Sequence, residues 1–405
     1  MTKNTTILEL NSNIVYICVM IKREAEKQLT VLASQFKAVA VVGPRQSGKT
    51  TLVKYVFSDK AYVNFENPDI KRYALEDPRG FLANYSNGAV FDEVQRVPEI
   101  FSYLQEILDD SPVNGLFILT GSNNFLLQEN ISQSLAGRVG YLNLLPLTLK
   151  EINEKSSTAN QHIFKGGYPS LYSTATDPTL WYANYIRTYI ERDVRLIKNI
   201  TNLITFERFL RLCAGRIGQL LNMNNLASEA GVDNKTVQAW IGVLETSFVL
   251  FRLQPYHNNF NKRIVKMPKL YFYDTGLASA LLGIQNSDQI DLHPFRGALF
   301  ENLIVVDMLK TRFNKAKMGN LYFWRDSTGN EIDLLLDNAS ALTPIEIKSG
   351  QTVTDNYFKG LLYWNKITKQ QGGYVVYGGN ISQKRSNDIT VIPYHTASSI
   401  EDLNV

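Results

Sequence analysis

Apolar and polar positions alternate in a changing texture along this chain. The segment 21–36 reads as an amphipathic helix, and an unbroken apolar run, Ala38 to Val42, follows it and stops at Gly43. Short apolar runs that end at glycine predict strands buried on both faces. Similar runs at 61–65, 89–91 and 116–120 are separated by helix-length segments. Strands alternating with helices predict an α/β fold with a parallel sheet.

Beyond Trp181 the pattern is helical and basic, with seven Lys or Arg against three Asp or Glu over 181–221. Residues 226–244 then read helix, turn at Gly231, helix, and 248–253 read as a strand. That order predicts a winged helix-turn-helix. From about Leu292 the pattern changes to one helix (297–310), strands at 321–324, 332–336 and 344–347, then a helix and a final strand. Ser327 to Asn330 supplies the turn between the first two of those strands.

Composition narrows the class. Hydrophobic residues make up 44% of 405, and 21 Tyr with 20 Phe argue against extensive disorder. A net charge of +4 is too small to imply nucleic-acid binding by itself. Cys18 and Cys213 have no metal-ligand spacing, which excludes a disulfide framework and fits a cytoplasmic protein. The early apolar run 14–21 falls short of the roughly 20 residues a membrane span needs. No small-residue cleavage site follows it before Lys22 and Arg23. Residues 1–19 are therefore expected to be a tail or an extension ahead of a start at Met20.

The chemistry sits at Gly43-Pro44-Arg45-Gln46-Ser47-Gly48-Lys49-Thr50, a match to G-x-x-x-x-G-K-[ST] between a strand and a helix. Glycines let successive backbone amides face phosphate oxygens. Lys49 supplies a cation for the β- and γ-phosphates of ATP, and the Thr50 hydroxyl coordinates Mg²⁺. Thr51 continues the phosphate-binding set at the start of the helix. Gly88 to Glu93 is an apolar strand ending in two acids, so Asp92 is expected to hold the Mg²⁺ shell and Glu93 to polarise the attacking water. A third strand ends at Thr120-Gly121-Ser122-Asn123, where Asn123 or Ser122 would sense the γ-phosphate. Arg138 is the arginine-finger candidate, with Arg192 as runner-up.

Taken together, the chain resembles the prokaryotic AAA+-related P-loop ATPases that carry a winged-helix region and a C-terminal PD-(D/E)XK nuclease-like domain. The matching stretches are the P-loop, Phe91 to Gln95, Leu119 to Ser122, Tyr189 to Arg195, Tyr271 to Leu277 and Phe300 to Asn302. The resemblance implies an AAA+-like parallel sheet at 20–160 and a helical lid or linker at 161–205. A winged-helix region at 206–290 and a small α/β restriction-endonuclease-like domain at 291–405 would follow. In the last of these, Glu301, Asp333 and Glu346 would bind a second Mg²⁺ or Mn²⁺, and Lys348 would position the water that attacks a phosphodiester. The downstream Gln and Tyr positions of recombination-type nucleases have no clear match here.

Arg252, Lys262, Arg263, Lys266 and Lys269, interleaved with Tyr256, His257 and Phe260, fall where a wing would lie and suit DNA or RNA. Lys235 and Gln238 would face bases, and Trp240 is expected in the core. The expected function is a Mg²⁺-dependent ATPase coupled to a nucleic-acid-facing, nuclease-like module. Its rival is a nucleotide-gated regulator whose nuclease-like domain is inactive. A homo-oligomer would follow if Arg138 reached a neighbour's nucleotide.

Overall fold

A computed structural model describes residues 20–121, 131, 134–154, 156–190, 202–256, 266–339 and 341–403, the side chains of 189 and 190 excepted. The chain forms two compact units, one of Met1–Leu147, Tyr168–Thr176 and Phe313–Lys317, the other of Thr148–Gly167, Asp177–Arg312 and Met318–Val405. Within the second unit, one sheet takes strands from both 206–290 and 291–405.

The first unit is a parallel sheet in the order β2-β3-β4-β1-β5. Its strands are β1 (Ala38–Val42), β2 (Ala61–Asn64), β3 (Ala89–Asp92), β4 (Phe117–Gly121) and β5 (Val139–Asn143). Every residue of β1, β3 and β4 is buried, as expected for strands covered on both faces. On one face the helices Ala25–Gln35 and Lys49–Val56 pack Leu29, Leu32, Leu52 and Val53 onto Val39, Val41, Val90 and Ile118. On the other, Phe65, Phe81, Phe91 and Phe117 form an aromatic layer with ring centroids 5.2–6.0 Å apart. The sequence pattern does not reveal β5, because Gly140 interrupts its apolar run.

The second unit is built on an eight-stranded mixed sheet, β12-β13-β11-β10-β9-β8-β6-β7. Strands β6 (Leu250–Pro255) and β7 (Lys269–Phe272) form the hairpin expected to be a wing. The helices Leu203–Ala214, Met223–Ala230 and Asn234–Thr246 precede it in the expected order, and Trp240 is packed against Phe206 and Phe209. The hairpin, however, continues the C-terminal sheet, because β6 pairs with β8 (Leu321–Arg325). After β8 come β9 (Glu331–Asp337), β10 (Leu342–Lys348), β11 (Gly373–Tyr377), β12 (Gln383–Lys384) and β13 (Ile389–Pro393). The last two exceed the single closing strand expected, since β12 is only two residues long and polar.

The turn between β8 and β9 is held by Asp326, which accepts from Thr328, Asn330 and Tyr363. Burial raises the pKa of that carboxyl, and these donors outweigh it and bring it down to about 2.

Two of the resemblance stretches, Tyr271 to Leu277 and Phe300 to Asn302, carry fastenings of this unit. Asn302 accepts from the Phe272 amide at 2.7 Å and donates to the Phe272 carbonyl at 2.9 Å, which satisfies the backbone of the edge strand β7. Asp274 caps the helix Thr275–Leu281 and accepts from the Tyr182 hydroxyl at 2.6 Å and the Gly167 amide at 2.7 Å.

His162 is buried in the same unit, and burial lowers its pKa to about 4. The folded state keeps this imidazole neutral, whereas the unfolded chain protonates it near pH 6.5. Stability is therefore expected to hold above pH 6.5 and to fall by up to about 3 kcal/mol between pH 6.5 and 4. Urea unfolding of the native chain and His162→Phe across that range checks this: the variant's stability should depend less on pH.

Candidate functional site

The loop between β1 and the helix Lys49–Val56 takes the shape its glycines dictate. A Cβ on Gly43 would lie 2.1 Å from the Leu144 carbonyl oxygen, so no larger residue fits there. Gly48 has φ 93°, in the left-handed region that glycine enters without penalty, and caps the helix. Behind the loop, the buried Arg23 guanidinium donates to the carbonyls of Ser47 at 2.7 Å and Leu145 at 2.8 Å. This brace was not legible in the sequence, where Arg23 reads only as one charge on an amphipathic helix.

Lys49 is buried and donates to the carbonyls of Gly43 at 2.9 Å and Pro44 at 2.8 Å. Burial lowers its pKa to about 8, against the opposing pull of Glu93 and Asp92. The Thr50 hydroxyl donates to Asp92 Oδ2 at 2.8 Å. Strand β4 lies between β1 and β3, so the two residues converge from strands that are not neighbours.

Asp92 is buried and accepts two further hydroxyls, Tyr62 at 2.6 Å and Thr120 at the tip of β4. Tyr62 was missed by sequence reasoning. Its signal is register: Asn64 pairs with Asp92 across β2 and β3, so Tyr62 sits one side-chain repeat upstream on the same face. Burial, then its bond to Asp92, raises the Tyr62 pKa well above the usual tyrosine range. The Lys54 ammonium lies 3.7 Å from the centre of its ring.

Glu93 follows Asp92 with φ 55°, a left-handed conformation for a non-glycine residue, and Gln95 donates to its carboxylate. Strain of this kind clusters at functional sites and aims a side chain away from the strand line.

Arg138 is not brought to this site. It lies at the opposite end of the parallel sheet, where its carbonyl accepts from the Ala38 amide at the start of β1. Its guanidinium binds both oxygens of Asp109, at 2.5 and 2.9 Å. Five β-residues, about 16 Å, separate that edge from Gly43. Ser122, Asn123 and Arg192 lie outside the described residues.

In the second unit the expected acids gather around lysines. Lys348 lies 2.9 Å from Asp333 and 2.5 Å from Glu346. Glu301 is held by Lys269 at 2.9 Å and by the Tyr271 hydroxyl. Among the described residues no three His, Cys, Asp or Glu side chains form a group that could hold a metal ion. The carboxylates expected as the Glu301–Asp333–Glu346 ligand set engage ammonium groups of β7 and β10.

The basic aromatic stretch changes similarly. Arg252 is paired with both oxygens of Glu245 at 2.7 Å, and Lys269 is buried. Lys266, Lys235 and Gln238 are exposed, whereas His257, Phe260, Lys262 and Arg263 lie outside the described residues. No helix among the described residues is long and apolar enough to cross a membrane.

Comparison with known proteins agrees with the first unit. A family model described as an AAA domain matches residues 35–153. Two domains of unknown function match 156–288 (DUF8612) and 296–397 (DUF4143). Among solved structures, the Walker-type ATPase of Pyrococcus abyssi aligns with 65% of this chain and 96% of its own at 15% identity and TM-score 0.40. RuvB of Thermotoga maritima aligns with 57% of this chain and 90% of its own at 20% identity and TM-score 0.29. An uncharacterized protein of Methanocaldococcus jannaschii is 23% identical, covering 74% of this chain and 72% of the relative. An uncharacterized protein of Mycobacterium tuberculosis is 31% identical over 340 residues, 83% of this chain and 76% of the relative, and one of Mycobacterium bovis matches equally. The chain belongs to the family of these mycobacterial proteins, and its residues 35–153 are an AAA domain with the parallel-sheet fold of P-loop ATPases.

Proposed function

We propose that this chain binds ATP with Mg²⁺ at residues 43–51 and hydrolyses it. The observation that carries the reading is the 2.8 Å approach of Thr50 to Asp92 beside a buried lysine. Thr50 and Asp92 offer hard oxygen donors, and the three hydroxyls on Asp92 keep it aimed at the loop, which suits Mg²⁺. When bound, that ion neutralises charge on the phosphates.

The remaining work falls to the chain's own groups. The amides after Gly43 and the N-terminus of the helix Lys49–Val56 receive the phosphates. Lys49 exchanges two carbonyl partners for phosphate oxygens. Glu93 orients the attacking water and takes its proton, with Gln95 steering the carboxylate. Phosphate release from ATP by the purified chain tests this. Glu93→Gln should lower turnover about 100-fold while leaving ATP affinity nearly unchanged. Equal turnover would remove Glu93 from the mechanism.

For the second unit, the pairing of Asp333, Glu346 and Glu301 with lysines favours a nucleotide-gated regulator over a coupled nuclease. Two of the five cations of the basic stretch, Arg252 and Lys269, face internal acids, which leaves less charge for nucleic acid than the sequence suggests. Oligomer formation through Arg138 would require that guanidinium to exchange Asp109 for a neighbour's phosphate.

A further inference from the structure

Strand β7 carries a charge into the second unit that the linear sequence assigns to a surface loop. The Lys269 side chain is 4% exposed, and its ammonium lies 2.9 Å from Glu301 and is also bonded to Glu331. Tyr271, two residues on and on the same face of β7, donates to Glu301 as well. Glu331 has a second partner in Arg325 at 3.1 Å. Beside them, Lys348 spans Asp333 and Glu346, and the Ile347 amide donates to Asp333 at 2.7 Å.

Four acids are thus met by two lysines and an arginine, on the strands β7, β8, β9 and β10 and one helix. Burial opposes a charged lysine at both positions. The carboxylates around Lys269 (Glu301, Glu331, Asp333) and around Lys348 (Asp333, Glu346) outweigh it, holding both above the ordinary lysine range. A buried pair is held this firmly only when its hydrogen bonds are also satisfied, and here they are.

We infer that Lys269 is a resident counter-cation, its ammonium taking the place a divalent metal would need among Glu301, Glu331 and Asp333. The cluster is then a lysine-bridged core of the second unit, not a metal-dependent phosphodiesterase centre. Removing the lysine charge should convert it into a cation site, because Glu301 and Glu331 then offer a divalent ion the hard oxygens that the ammonium holds now.

Counting Mn²⁺ bound to the full chain without nucleotide, from the electron paramagnetic resonance signal of the free ion, tests this. Native chain and Asp333→Asn should take up the same amount. Lys269→Met should gain one Mn²⁺ per chain, bound at least tenfold more tightly than any the native chain takes, and adding Asp333→Asn should abolish the gain. A native Mn²⁺ that Asp333→Asn or Glu301→Gln removes would overturn the inference. So would a Lys269→Met chain that keeps a cooperative thermal transition yet gains no ion. Should Lys269→Met not fold, Lys269→Gln takes its place, and the native comparison decides in either case.

Discussion

Lys49→Ala is expected to reduce ATP turnover by at least about 100-fold and to weaken nucleotide binding with it. The loop already holds this ammonium in place, through the Gly43 and Pro44 carbonyls at 2.9 and 2.8 Å. Little reorganisation is therefore needed when phosphate oxygens replace those dipoles. The pKa of about 8, lowered by burial and opposed by Glu93 and Asp92, adds a pH signature. A bound triphosphate raises that pKa, so the lysine's contribution to affinity is complete below pH 8 and is lost as pH rises through the value in the complex. Native affinity should fall at alkaline pH, and the alanine variant should show no such fall. Fluorescent nucleotide titration from pH 7 to 10 measures both. Similar turnover in the two proteins would place the chemistry elsewhere.

The second large effect is on stability. Asp274→Ala should destabilise the second unit by about 3–5 kcal/mol, because it strips a buried carboxylate from three donors at once. Those donors are the Tyr182 hydroxyl, the Gly167 amide and the Leu277 amide at the start of a helix. Gly166 and Gly276 allow the approach: a Cβ on either would lie within 2.5 Å of the Tyr182 hydroxyl. Asp274→Asn keeps an acceptor oxygen and should lose less. Urea unfolding with a probe in the second unit, such as Trp324 or Trp364 emission, reads the difference. A loss under about 1 kcal/mol would mean that the chain re-satisfies those donors locally.

These two residues mark what linear sequence carries and what it leaves out. The P-loop is legible because a strand, a glycine turn and a helix lie in tandem, and each residue's role follows from its offset. Asp92 is legible because an apolar strand must end where its acid meets the loop. Asp274 stands in a motif whose partners are about a hundred residues away, so its role as a fastening appears only in three dimensions. Lys269 misleads for the same reason. Seen among five cations it suggests a nucleic-acid surface, yet strand alternation points it at Glu301 and Glu331. The position of Arg138, just before β5 and at the end of the sheet away from its own loop, likewise appears only in three dimensions. Tyr62 has no motif at all, and only the pairing of β2 with β3 brings it to Asp92.

The central claim is that Lys49, Thr50 and Asp92 form one Mg²⁺-dependent triphosphate site. The most direct measurement is ATP affinity by titration calorimetry with and without Mg²⁺, in the native chain and in Asp92→Asn. Native affinity should rise at least about tenfold with Mg²⁺, and the asparagine variant should lose most of that gain. Affinity indifferent to Mg²⁺ in the native chain, or an undiminished gain in the variant, would contradict the account.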